Sequence, residues 1–114
     1  MAAPLRGSAG RGGTLDYARR MAASTAAGHF RQLGELCVSS IGLGTYLGPA
    51  DDATDASYQA AVVRALELGI NLIDTASNYR HQRSERAIGR ALAQAAASGL
   101  VGRDQVVVAS KAGF

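Results

Sequence analysis

The chain lacks most of what would place it in a special class. It holds one cysteine, Cys37, among 114 residues, so no internal disulfide can form. With no Cys-x-x-Cys pair and with its two histidines, His29 and His81, far apart, no metal site is expected. The formal charge is only +3, and the basic residues do not form one stripe with interleaved aromatics, which argues against nucleic acid as a partner. No long apolar run marks a secretory signal or a membrane span. What is present is an ordinary soluble composition, 47% hydrophobic and 18% charged, of a size for one small domain or a piece of a larger one. Cys37 lies in the strand-like run Glu35-Leu36-Cys37-Val38, where a structural thiol is the default, and the chain suits a reducing, cytoplasmic setting.

The apolar material is unevenly placed. Residues 1–29 are mostly Ala, Gly, Ser and Arg, with Arg6, Arg11, Arg19 and Arg20 set against a single acid, Asp16. An Arg-rich, acid-poor start is similar to an organelle transit peptide. No apolar period is sustained there, and a flexible leader is the plainer reading; a short helix starting near Tyr17 is not forced on it.

From Phe30 the signals sharpen. Two short runs around Gly34 read as a hairpin, and Ile41-Gly42-Leu43-Gly44-Thr45 as a short strand with glycines at its end. Residues 51–68 predict a helix: Asp51, Asp52, Thr54 and Asp55 offer caps and negative charge at its start. Tyr58, Ala61, Val62, Ala65 and Leu66 make one face, and Gly69 is the stop. Residues 70–75 form a strand. Ser84 caps a second helix with Ala87, Ile88, Ala91, Leu92 and Ala95 on its apolar face, and Gly99 ends it. Residues 105–111 form a third, buried strand. Strands alternating with helices at this spacing argue for an α/β fold of parallel strands joined by right-handed crossovers. Such a sheet would have two long, unpaired, apolar edges.

Two strands end in ionisable groups at matching positions, Asp74 and Lys111. If the strands are neighbours in a barrel, both groups point into the mouth at the strands' C-terminal ends, where barrel enzymes place catalysis. Tyr79 follows in the loop. An isolated phenol, with a reference pKa of about 10, is a weak acid at neutral pH, and a nearby ammonium makes it a better proton donor. Taken singly, each of the three has an ordinary alternative: a loop cap, an exposed strand-end charge, loop packing. Gly42-Leu43-Gly44 is no dinucleotide fingerprint, because no third glycine follows at the required spacing. Ser84 and Glu85 read as helix-start residues, and Arg83, Arg86 and Arg90 as a solvated helix face.

The run from Ile70 to Tyr79 (Ile-Asn-Leu-Ile-Asp-Thr-Ala-Ser-Asn-Tyr) resembles the aldo-keto reductase family. So do residues 84–92, Val108-Ala109-Ser110-Lys111, the opening hairpin and residues 41–45. The resemblance covers residues 30–114, with matches in the right order. It implies a (β/α)8 TIM barrel, of which this chain would hold the hairpin and the first three βα units. It further implies reduction of aldehydes, ketones or sugars, or oxidation of the corresponding alcohols, with NADPH (NADP). Asp74, Tyr79 and Lys111 match three members of the family's catalytic tetrad; the fourth, a His at the end of the fourth strand, would lie beyond this chain. Gly44, Thr45 and Asp74 would line the cofactor's nicotinamide end. The expected partner is a small carbonyl or sugar substrate, and the 114-residue chain alone is expected to be inactive. Some relatives keep the barrel and nucleotide site but act as regulatory subunits without turnover, which is the alternative. The tyrosine is usually followed soon by Gly and then Glu. Here Arg80 follows and Glu85 comes late, which puts this loop's part in substrate binding in doubt.

Overall fold

The structure, a computed structural model, describes residues 5–112. The first four residues of the expected leader and the last two of the chain lie outside the described residues. Helix α1 spans Arg11–Met21, strands β1 Phe30–Leu33 and β2 Leu36–Ser39 form an antiparallel hairpin, and strand β3 is Leu43–Gly44. Helix α2 (Asp52–Glu67), strand β4 (Leu72–Asp74), helix α3 (Arg83–Ala97) and strand β5 (Val107–Ala109) follow. β3, β4 and β5 pair in parallel in sequence order, with Gly44 opposite Asp74 and Asp74 opposite Ala109. The predicted alternation of parallel strands and helices is therefore present.

Local chemistry accounts for the elements. Asp51 caps α2 by accepting from the Thr54 backbone N–H at 2.8 Å, and Gly69 ends it at φ 99°, a left-handed turn that favours glycine. Gly34, at φ 59°, turns the hairpin. In α3 all five residues of the expected face are buried; in α2 Val62, Ala65 and Leu66 are buried, Tyr58 is half-buried and Ala61 is exposed. α2 and α3 pack together beside the sheet, closing a core of Val62, Leu66, Ile73, Ile88, Leu92 and Val106. The strands are shorter than expected, with β4 and β5 pairing in register over three residues each, and a 3-10 turn at Arg103–Gln105 leads into β5.

Where the sequence suggests a flexible leader, the structure has α1 docked on this core. Tyr17 is fully buried, its ring meets Phe30 edge-on at 5.9 Å, and its hydroxyl donates to the Leu66 carbonyl at 2.6 Å. Thr14, also fully buried, accepts from the Cys37 backbone N–H at 3.0 Å. These partners lie 23 to 49 residues away, so no local pattern announces the helix.

The N-terminal end of the sheet is tied together by Asn71. Its side-chain oxygen accepts from Ser39 N–H (2.9 Å), its amide donates to the carbonyls of Cys37 and Gln105 (3.1 Å each), and its backbone N–H donates to Ser39 Oγ (3.1 Å). One buried side chain thus joins the hairpin, β4 and the approach to β5. None of the helices among the described residues is long and apolar enough to cross a membrane.

Candidate active site

The three strands end side by side, and the register decides what gathers there. Asp74 closes β4 between Gly44 of β3 and Ala109 of β5. Two further backbone bonds carry the β4–β5 pairing outward, Thr75 N–H to Ala109 O and Ser77 N–H to Lys111 O, both 2.8 Å. They bring Lys111 beside Asp74: Nζ donates to Asp74 Oδ1 at 3.1 Å and to the Thr75 carbonyl at 2.7 Å. Both side chains remain about half exposed, at 52% for Asp74 and 51% for Lys111, so the pair faces solvent rather than the core.

Tyr79 completes the group. Its backbone N–H donates to Ala76 O at 3.2 Å in the loop after β4, and its ring centroid lies 5.2 Å from Lys111 Nζ. The hydrogen bond to Asp74 is the main cause holding the Lys111 ammonium above its ordinary pKa. Desolvation works against it, and the Asp74 charge and the neighbouring Tyr79 add to the rise. Asp74, Tyr79 and Lys111, expected together from sequence, are together.

The residues expected at a nicotinamide fare differently. Gly44 has open space where a side chain would stand, directly beside the Asp74 strand end, so a flat ring can approach there. Thr45 is fully buried with its hydroxyl donating to the Asp74 carbonyl at 2.9 Å. Its side chain is closed off from solvent and tied to the end of β4. Gly44 and Asp74 thus leave an open, polar strand end.

The loop beyond Tyr79 departs most from expectation. Ser84 does not cap α3. Gln82 occupies that position in the left-handed region, and Ser84 is buried within the helix, donating to the Thr45 carbonyl at 2.6 Å. Arg83 is no purely solvated charge, since its Nη1 lies 2.8 Å from Asp55 Oδ2 and 3.2 Å from Asp52 Oδ1. Glu85 accepts from Ser110 Oγ at 2.5 Å, linking the start of α3 to the residue before Lys111. Of the histidines, His29 meets the Gly69 carbonyl at 2.8 Å at the opposite end of β4, and His81 is exposed.

Sequence reasoning assigned no site role to Tyr46 or Arg80. Tyr46, 67% exposed, sets its ring edge-on to Tyr79 with centroids 5.1 Å apart. Its position one residue past Thr45, on the adjoining strand end, was the available signal. Arg80 is buried immediately after Tyr79, and nothing local in the sequence marks it, because its partners come from residues 49–58.

Comparisons with known proteins identify the family. The family model described as "Aldo/keto reductase family" matches residues 40–113. The methylglyoxal reductase YeaE of Escherichia coli (strain K12) is 38% identical over 80 residues, 68% of this chain and 25% of that protein. Deoxymugineic acid synthase 1 of Zea mays is 44% identical over 73 residues, 62% of this chain and 21% of that protein. A solved structure from Pseudomonas aeruginosa, assigned to the aldo-keto reductases, is 36% identical with a TM-score of 0.50, over 79% of this chain and 33% of that one. The chain thus spans a quarter or less of the length of these two curated relatives. A match over residues 40–113, reaching from β3 through β5, means that this chain belongs to the aldo/keto reductase family.

Proposed function

We propose that these residues form the proton-donor side of an NADPH-dependent carbonyl reductase built on a (β/α)8 barrel, working in the cytoplasm. The observation that carries the reading is Lys111 Nζ placed between the Asp74 carboxylate and the Tyr79 ring at the ends of adjacent parallel strands. NADPH, when bound, supplies the hydride that reduces the carbonyl carbon. As the C=O π pair moves onto oxygen, Tyr79 donates its hydroxyl proton to that oxygen and is left as a phenolate. Lys111 stabilises the phenolate through its positive charge, and Asp74 keeps Lys111 oriented and protonated. Solvent then returns the proton to Tyr79, and the reverse sequence oxidises the alcohol. The substrates are aldehydes, ketones or sugars in their open or lactol forms; the methylglyoxal reductase among the relatives makes a small dicarbonyl a sensible first test.

Turnover is proposed for these residues within a barrel of family length, and none is expected of the 114-residue chain by itself. The test is NADPH oxidation by such a protein with methylglyoxal or an aromatic aldehyde. Tyr79→Phe should lower kcat by roughly 10²- to 10⁴-fold while NADPH still binds. A Tyr79→Phe protein at full rate would show the donor assignment to be wrong. Nucleotide binding with no turnover across a carbonyl panel would favour a regulatory barrel instead.

A further inference from the structure

Arg80 carries a charge where charges are seldom found. Its side chain is 1% exposed, and its backbone is the first of three consecutive non-glycine residues at positive φ, Arg80 at 52°, His81 at 57° and Gln82 at 67°. A left-handed turn of L-residues is unfavourable and persists only where the surroundings over-determine it. Here they do. Arg80 Nε donates to the Pro49 carbonyl at 2.9 Å and Nη2 to the Asp51 carbonyl at 3.4 Å. Nη2 also forms a very short ion pair with Asp55. The guanidinium lies over the Tyr58 ring, 5.0 Å from its centroid, and the Tyr58 hydroxyl donates to Leu47 O at 2.6 Å. Nη1 has no partner among the described residues. Burial raises the Asp55 pKa, but the Arg80 hydrogen bond and the charges of Arg83 and Arg80 outweigh it and hold the carboxyl below its ordinary value.

Every one of these contacts reaches across to the segment after β3 or to the start of α2, and the residue they anchor is bonded directly to Tyr79. From that same segment, Tyr46 sets its edge on the Tyr79 ring. Two residues beyond the left-handed turn, Ser84 clamps Thr45 O while its backbone N–H points to Tyr79 O at 3.4 Å. We propose that Arg80 is the positioning residue of the proton donor. Its buried pairing with Asp55 locks the left-handed turn, and the turn fixes where the Tyr79 hydroxyl stands relative to Lys111. The inference rests on the reading of Tyr79 as donor and adds what holds the donor in place.

The experiment is steady-state kinetics on the catalytically competent protein that carries this sequence, with NADPH and an aldehyde. Arg80→Met is expected to lower kcat by roughly 10- to 100-fold, as a donor displaced by about 1 Å would, with KM for NADPH within about twofold of the parent. The solvent deuterium isotope effect on kcat should rise as proton transfer becomes limiting. Asp55→Asn should give the same signature, and the double variant should lose no more than either single one. Arg80→Lys keeps the charge but loses the forked donor geometry; as the more conservative variant it should fold and recover only part of kcat. A folded Arg80→Lys or Arg80→Met protein with parental kcat and isotope effect, altered only in melting temperature, would overturn the proposal. So would strictly additive losses in the double variant. Should Tyr79→Phe retain full rate, both this inference and the donor reading fall. Should Tyr79→Phe be inactive while the Arg80 variants are not, only this inference falls.

Discussion

The two ends of the parallel sheet are made from the same three strands and behave as opposites. At the N-terminal end, Asn71 is fully buried and its side-chain oxygen and amide bond to Ser39, Cys37 and Gln105. Tyr17, equally buried, seats α1 beside it. At the C-terminal end, three strand positions from Asn71, Asp74 and Lys111 stay half exposed and bond chiefly to each other. Polar groups at one end are spent on the fold, since a buried donor or acceptor must find a protein partner. At the other end Asp74 and Lys111 remain open to solvent. A barrel divides in this way, with stability at the bottom and chemistry at the top.

Substitutions matched across the sheet test that division. Lys111→Met should abolish most turnover, by roughly 10²-fold or more, because the phenolate loses its countercharge. Its midpoint in denaturant unfolding should stay close to that of the parent, since an exposed pair contributes little. Asn71→Ala should do the reverse. It strands the Ser39 N–H and the Cys37 and Gln105 carbonyls, and a loss of about 3 kcal/mol in denaturant unfolding is expected at one to a few kcal/mol for each set of stranded groups. If Lys111→Met melts the protein and Asn71→Ala leaves it intact, the two ends do not divide as described.

Tyr17 gives the next effect, with its own pH signature. Burial pushes the phenol up to about 12, the Arg20 charge and a backbone hydrogen bond at Gly69 offsetting only part of the rise. A folded pKa above the unfolded value of about 10 means that the folded chain holds its proton longer. The associated stability is therefore fully present below pH 10 and is lost as pH rises through about 12. The loss over that window should approach roughly 2–3 kcal/mol, at 1.4 kcal/mol per pKa unit. Tyr17→Phe should cost about 1 kcal/mol at neutral pH and flatten the alkaline limb in melts at pH 9 and 11.5. An unchanged alkaline limb would mean that α1 is not docked through this hydroxyl.

The sequence was most legible where partners are near in the chain. The Asp51 cap, the Gly69 stop and the hairpin about Gly34 all depend on contacts within a few residues. The pairing of Asp74 with Lys111 was also readable, although they stand 37 residues apart, because strand ends of a parallel sheet are brought level by topology. α1 was not readable. It opens on Arg11-Gly12-Gly13 with no acid in its first turn and no side-chain cap, so its reason to be helical lies in Tyr17 and Thr14 meeting distant groups. Ser84 and Arg80 were opaque in the same way: a serine before an apolar period suggests a cap, and only the packed loop shows it donating to Thr45 instead.

The smallest expected effect concerns strain at the functional end. His81 is exposed at φ 57°, in the middle of the left-handed turn, and no side-chain hydrogen bond holds it among the described residues. Glycine reaches that conformation freely, while an L-residue there is disfavoured by about 1–2 kcal/mol. Against this stands the larger chain entropy that glycine loses on folding, of about 0.5–1 kcal/mol. His81→Gly should therefore stabilise the chain by only about 0.5 kcal/mol in denaturant unfolding. It should leave kcat unchanged, since Arg80 still anchors the turn. A stabilised protein with reduced kcat would show that the turn itself, and not only its anchor, must be stiff to hold Tyr79. The N-terminal end of the sheet has no counterpart to this trade, because none of its non-glycine residues is held at positive φ among the described residues.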